Sequence, residues 1–394
     1  MRDIDELLRR CVDMRGSDLH FKADTGKAYV RVDGDLVELD DIEQFDPDEF
    51  QAAFYKLLRR DQIAKFEEEL ELDFAYEVVG LSRFRGNAYQ QRGVVQGAFR
   101  VIPYEIQTME ELRLPAACAD FVVRPRGLVL VTGPAGSGKS TTQAAMIDRI
   151  NRTQPVHIVT VEDPIEFVHE DQMAVINQRE LESDTQSFER ALKYVLRQDP
   201  DVILVGEMRD LETIHLAITA AETGQLVIGT LHTVDAVQTV DRIVDVFPMH
   251  QQQQIRMQLS VNLVGVISQT LVKRADGRGR VAAFEVLVAT GAIRNLIREN
   301  KTYQIGSLVQ TGARAKMQTL DQSLALLVED GLVSHEEARS KAKDAGEFER
   351  LVALARAGNA TQPSQLSKHG EPDGQRSPAS GVRGQPNRPA YRRE

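Results

Sequence analysis

Along the first residues, Ile4, Leu7, Leu8 and Cys11 recur at i, i+3, i+4 and i+7, the spacing of one apolar stripe on an α-helix. The period then changes. Residues 29–37 place Asp33-Gly34 between two short β-prone runs, a pattern that predicts a two-residue hairpin. A helical stretch is expected over 48–69, followed by strand-like runs at 74–79, 84–89 and 97–102. Residues 1–102 therefore read as a small α+β domain. Pro103, Pro115 and Pro125 punctuate 103–126, which predicts a linker leading into the next domain.

From Gly127 the pattern becomes short, wholly apolar runs at 128–131, 157–161, 202–205, 226–230 and 281–286, separated by helical stretches. Continuous apolar strands alternating with helices predict an α/β domain, with a parallel sheet covered on both faces, over 127–290. Val240, Ile243, Val244 and Phe247 share a face of one of those helices. Residues 291–358 read as helical. Residues 359–394 are poor in large apolar side chains and rich in Pro, Gly, Ser and Gln. Such a segment cannot bury enough surface to offset the entropy of ordering, which predicts a disordered tail. Within it Lys368, Arg376, Arg383, Arg388, Arg392 and Arg393 outnumber Glu371, Asp373 and Glu394. A solvated tail and a docking arm for an acidic partner or lipid both fit that charge.

Composition narrows the function classes. The chain has 394 residues, 42% hydrophobic and 27% charged, as in soluble globular proteins, and is long enough for more than one core. Its net charge of -11 argues against nucleic acid as the main partner, because phosphate backbones are bound by basic faces. The two cysteines, Cys11 and Cys118, form no CxxC pair. A structural zinc site is not expected, and a reducing compartment is. The N-terminal MRDIDELLRR lacks an apolar signal core. No transmembrane segment is expected either, since none of the apolar runs nears the ~18 residues that a span needs. A cytoplasmic location follows, with any membrane contact made through other proteins.

The strongest chemical signal is Gly133-Pro134-Ala135-Gly136-Ser137-Gly138-Lys139-Ser140-Thr141, which fits G-x-x-x-x-G-K-[ST] between an apolar strand and a helix-prone stretch. Glycines let the backbone turn its N–H groups inward around phosphates, and the helix N-terminus adds partial positive charge. Lys139 would sit on the β- and γ-phosphates of ATP, and the Ser140 hydroxyl would ligate Mg²⁺. Hydrolysis also requires a positioned water. Two acidic clusters lie at predicted strand ends, where α/β sheets collect ligands: Glu162-Asp163 with Glu166, and Glu207 after the run 202–205. The Glu207 position suits Mg²⁺, held through water, or the attacking water itself. His232 follows another buried strand; it reads either as structural or as a sensor of the γ-phosphate.

Taken together, GPAGSGKST (133–141), TVEDPIEFVHE (160–170), DPDVILVGEMRD (199–210), TAAETGQLVIGTLHT (219–233) and DRIVDVFP (241–248) resemble the P-loop, aspartate box, Walker B and histidine box of the type II/IV secretion ATPase superfamily. The resemblance runs from about residue 5 to residue 344. GSDLH at 16–20 and AIRNLIRE at 292–299 are similar to strings of its type IV pilus retraction branch. The early P-loop and the absence of CxxC point the same way.

What the resemblance implies is specific. The ATPase domain would be RecA-like and the N-terminal domain PAS-like. Glu166 would polarise the attacking water with Glu162 and Asp163 in support, Glu207 would be the Walker B acid, and His232 would belong to the histidine box. Members assemble as homohexamers that fire across subunit interfaces with arginines of the N-terminal domain. Arg83, Arg85 and Arg100 are the candidates here, and a solvated strand face is their plainer reading. An inner-membrane pilus platform protein and paralogous pilus ATPases are the implied partners. The AIRNLIRE helix reads either as core plus solvated face or as a coupling surface. The competing functions are a pilus assembly or type II secretion ATPase, a nucleic-acid-dependent motor, and a nucleotide sensor without turnover. The basic tail has no counterpart in the family pattern.

Overall fold

A computed structural model describes residues 3–32, 34–40, 42, 44–102 and 106–360. The N-terminal part begins with α1 (Ile4–Asp13), whose apolar stripe Ile4, Leu7, Leu8 and Cys11 is buried. It continues through β1 (Asp18–Lys22), β2 (Lys27–Val32), β3 (Asp35–Glu38), α2 (Pro47–Tyr55), α3 (Arg60–Glu69), β4 (Glu71–Val78), β5 (Ser82–Gln91) and β6 (Val94–Ile102). The six strands form one antiparallel sheet in the order β3-β2-β1-β6-β5-β4. The hairpin pairs Val32 with Asp35 across its turn; Asp33 lies outside the described residues.

The helical stretch expected over 48–69 is made of two helices, α2 and α3. Asp46 caps α2 with Pro47 in its first turn, and the Arg59 amide opens α3 by donating to the Gln62 side chain at 2.9 Å. The break lets Phe50 and Phe54 of α2 and Phe66 of α3 enter the same core. That core is aromatic: Phe21, Phe45, Phe50, Phe54, Phe74 and Phe99 interlock with ring centroids 5.0–6.1 Å apart, in edge and offset arrangements that suit the ring quadrupoles.

The second part runs through α4 (Ala116–Val122), β7 (Gly127–Thr132), α5 (Lys139–Thr153), β8 (His157–Glu162), β9 (Val175–Glu180), α6 (Phe188–Val195), β10 (Val202–Val205), α7 (Leu211–Thr223), β11 (Leu226–Leu231), α8 (Ala236–Asp245), α9 (Met249–Asn262), β12 (Leu263–Lys273) and β13 (Arg280–Val288). Seven strands form a sheet in the order β13-β12-β7-β11-β10-β8-β9, parallel except for the β12–β13 hairpin. Both faces are covered. Leu128, Leu130, Ile203 and Val205 face one core, while Val129, Val131, Val202 and Leu204 face the other. This is why β7, β10 and β11 read as unbroken apolar runs. The segment expected to be a linker carries α4, and its Cys118 and Phe121 are buried against the sheet.

Two strands are absent from the apolar pattern. β9 is an edge strand, and its Asn177, Gln178, Arg179 and Glu180 leave no apolar run. β12 is eleven residues long, but it follows α9 with no Gly, Pro or polar cluster to mark the change of period.

The C-terminal region holds α10 (Gly291–Arg298), α11 (Ile305–Thr311), α12 (Leu320–Glu329), α13 (His335–Lys341) and α14 (Ala345–Ala360). It is tied to the sheet by charge. Lys343 Nζ reaches Asp235 at 2.9 Å and Glu285 at 3.3 Å, and Asp321 accepts the Lys343 and Asp344 amides at 2.7 and 3.0 Å. Of the predicted disordered tail, residues 359 and 360 end α14 and residues 361–394 lie outside the described residues.

Candidate active site

The loop between β7 and α5 has backbone that only glycine adopts freely. Gly133 has φ 145°, and a Cβ there would meet the Gln269 carbonyl oxygen at 2.3 Å. Gly138 has φ 88° at the N-cap of α5. The loop is braced from β12, where Gln269 Nε2 donates to the Ser137 carbonyl at 2.7 Å. Lys139 Nζ folds back on the loop and donates to the carbonyls of Gly133 and Pro134 at 2.9 and 3.0 Å. Burial pulls its pKa below the ordinary lysine value, with Glu207 and Glu166 acting in the opposite direction.

Strands β11, β10 and β8 lie next to β7 in that order and run parallel. Their C-terminal ends therefore open on the same edge as the loop. A cavity of about 440 Å³ there is lined by Ala135, Gly136, Gly138, Lys139, Ser140 and Thr141 of the loop and α5. Glu162, Asp163, Glu166, Glu207 and His232 line it as well. Gly133, Pro134 and Ser137 shape the loop without lining the cavity. Four segments far apart in the chain thus share one enclosure, at the edge where parallel α/β sheets bind ligands.

The carboxylates are not equivalent. Glu162 accepts from Thr160 Oγ1 at 2.6 Å and Gln178 Nε2 at 3.1 Å. Burial pushes its pKa up to about 7, against the opposing effect of those two hydrogen bonds. Glu166 and Asp163 are exposed. Glu207 accepts from Arg209, whose Nη2 lies 2.6 Å away and whose Nε also donates, and from His232 Nε2 at 2.9 Å. Burial alone would raise the Glu207 pKa, but Arg209 and His232 outweigh it and hold the carboxyl below its usual range. The His232 side chain is 48% exposed, so the histidine stands in the cavity wall rather than in a core.

The three arginines lie outside this cavity. Arg83 pairs with Glu180 at 2.8 Å, Arg85 stands 3.8 Å from Asp73, and Arg100 pairs with Asp18 at 2.9 Å. The AIRNLIRE helix is α10. Ile293 and Ile297 are core. Arg294 donates to the carbonyls of Ala289, Ser260 and Leu263 at 2.8, 3.2 and 3.0 Å, and also to that of Val261. Asn295, Arg298 and Glu299 form a surface network.

Sequence reasoning missed Gln143, Phe167, His169, Phe188, Leu271 and Arg280, which also line the cavity. Gln143 lies one helical turn after Lys139, a spacing that could have flagged it. His169 sits inside the aspartate-box string; burial lowers its pKa to about 4. Leu271 belongs to the unrecognised β12, and Arg280 opens β13 directly before the predicted run 281–286; no local signal marks either as a site residue.

A parallel sheet with a phosphate-binding loop and strand-end acids on one edge defines a P-loop ATPase. Residues 88–340 match the family model described as "Type II/IV secretion system protein", and the chain belongs to this family. It is 52% identical over 341 residues to the "Type IV pilus retractation ATPase PilT" of Pseudomonas aeruginosa, covering 86% of this chain and 98% of that one. It is 52% identical over 315 residues to a "Twitching motility protein" of Neisseria gonorrhoeae, covering 80% and 84%. Among solved structures, the pilus retraction motor PilT with bound ADP superimposes with a TM-score of 0.83 at 46% identity, covering 89% of this chain and all of that one.

Proposed function

We propose that this chain is the ATP-hydrolysing motor of type IV pilus retraction, working as a ring of six on an inner-membrane platform protein. The observation that carries the enzymatic part is the single cavity that unites Lys139 and Ser140 with Glu162, Glu166, Glu207 and His232. The retraction part rests on the extent of the likeness to relatives described by that activity.

In this reading the triphosphate lies along the loop amides and the N-terminus of α5. Lys139 exchanges its two loop carbonyls for phosphate oxygens. Glu166, exposed in the lining of the cavity, orients a water for in-line attack on the γ-phosphorus. The P–O bond to ADP breaks as the new P–O bond forms, and Glu166 takes up the water's proton. Glu162 and Asp163 support that segment. His232 donates to Glu207 and relays the state of the site to β11.

The oxygen donors of Ser140 and Glu207, which line the same cavity, suit a hard cation, and these two residues would hold Mg²⁺. That ion supplies charge neutralisation at the phosphates. Arg83, Arg85 and Arg100 are the candidates for contacts to a neighbouring subunit's nucleotide. Nucleotide exchange would shift the balance between arrangements of the two sheets. No helix among the described residues is long and apolar enough to cross a membrane, so attachment to the inner membrane is assigned to protein partners.

The decisive experiment pairs phosphate release by the purified chain with a deletion strain. Turnover with Mg-ATP, together with surface pili that accumulate while twitching stops, is the expected result. ATP bound without any phosphate released would overturn the enzymatic reading. Turnover with loss of surface pili would replace retraction by assembly.

A further inference from the structure

The acidic segment of the site is held from outside the cavity by one carboxylate. Glu180 ends β9 and is 5% exposed. Its backbone is fixed by the sheet, since β9 pairs with β8 and places Glu180 opposite Glu162. Its Oε2 accepts from the Ile165 amide at 3.2 Å and from Arg83 at 2.8 Å. Its Oε1 accepts from Ser183 Oγ at 3.3 Å. Ile165 directly precedes Glu166. Arg83 belongs to β5 of the N-terminal sheet. A single oxygen therefore joins the N-terminal sheet to the backbone that carries the water-orienting glutamate.

The contact differs from its neighbour. Lys65 of α3 and Glu182, just beyond β9, also join the N-terminal part to the second part, at 3.4 Å, but both side chains are well exposed, and such pairs contribute little. The Arg83 and Glu180 side chains are only 20% and 6% exposed. A carboxylate so enclosed is costly unless paired. Without Arg83 it would be left with an amide and a hydroxyl, and rotation toward water would draw it off the Ile165 amide.

We infer that Glu180 is a positioning residue for hydrolysis: by gripping Arg83 it sets the Ile165 amide, and with it Glu166, so that the seating of the N-terminal sheet is felt at the attacking water. The inference rests on the ATPase reading above. It gives Arg83 an action inside its own chain, through Glu180.

The test is a cycle of Arg83→Gln, Glu180→Gln and the double variant in the full chain. Glu180→Gln keeps an oxygen for the Ile165 amide and removes the charge that holds Arg83. ATP turnover and hydrogen exchange of the peptide 161–168 are measured for each protein. Each single variant should lower kcat by about 10- to 100-fold, the scale of a small misplacement of a reacting group, with KM for ATP within about 2-fold. The double variant should be no slower than the slower single, and 161–168 should exchange faster in all three. Effects that multiply in the double variant, or unchanged exchange in Arg83→Gln, would overturn the inference and leave Arg83 free to act on another subunit.

If wild type shows no turnover, the ATPase reading fails, and the exchange data alone decide whether Arg83 orders the segment. If Glu180→Gln does not fold, Arg83→Lys replaces it. Partial recovery of kcat and of protection relative to Arg83→Gln supports the inference, and unchanged exchange in both variants sinks it.

Discussion

His232 Nε2 lies 2.9 Å from the Glu207 carboxylate, both of whose oxygens also accept from Arg209. Two strand ends, β10 and β11, are thereby joined by a hydrogen bond at the edge of the cavity. The His232 side chain is about half exposed and adds little to the core, so its value is in orienting Glu207.

His232→Ala should therefore separate stability from activity. The melting temperature should move by no more than about 2 °C, as for a surface substitution. The kcat should fall by roughly 10²-fold, the scale of losing one oriented donor. Thermal melts and steady-state phosphate release check this. A large loss of stability with unchanged turnover would make His232 a structural residue.

Glu162 should impose a pH dependence on folding. Its pKa in the folded chain is about 7, raised by burial above the ordinary glutamate value of 4.5. The folded state thus binds the proton more tightly than the unfolded state. Its contribution is fully present below pH 4.5 and is lost as pH rises through 7. Glu162→Gln removes that linkage. Melting temperatures of the two proteins, measured without nucleotide, should converge at low pH. The variant should gain on wild type between about pH 4.5 and 7, and the gap should stay constant above about pH 8. Curves parallel over the whole range would mean that Glu162 ionises freely.

Arg294 closes the C-terminal end of α9 by donating to the carbonyls of Ser260, Val261 and Leu263. The Ser260 and Val261 carbonyls lie in the last turn of α9, where carbonyls have no partner within the helix, and Leu263 begins β12. Arg294→Ala should cost about 2 kcal/mol or more in stability, since bonds to a charged donor contribute ~1.5–3 kcal/mol each and do not add fully. Arg294→Lys should recover only part, because an ammonium cannot span the carbonyls that the planar fork reaches. Chemical denaturation checks both variants. Full stability in Arg294→Ala would shift the weight of this helix to the surface network of Asn295, Arg298 and Glu299.

The elements legible in the chain were those with a strong local period. The α1 stripe reads directly from Ile4 to Cys11 because every fourth or third side chain enters one core. β7, β10 and β11 read as apolar runs because the sheet is buried on both faces. β9 was illegible for the opposite reason: as an edge strand with polar side chains, it owes its place to pairing with β8. β12 was hidden by the absence of any turn at Leu263, although its Gln269 braces the phosphate loop.

The chain itself dictates the phosphate loop, the order of its acidic segments and the amphipathic faces, because each depends on neighbours within a few residues. Only the tertiary structure decides which of those segments meet. Strand order brings Glu162, Glu207 and His232 beside Lys139, and it brings in Leu271 and Arg280, which no local pattern marks. Likewise the division of work among the carboxyls, with Glu162 enclosed, Glu166 exposed and Glu207 held by Arg209 and His232, is set by burial and charge. Those are properties of the packed surroundings and not of the residue.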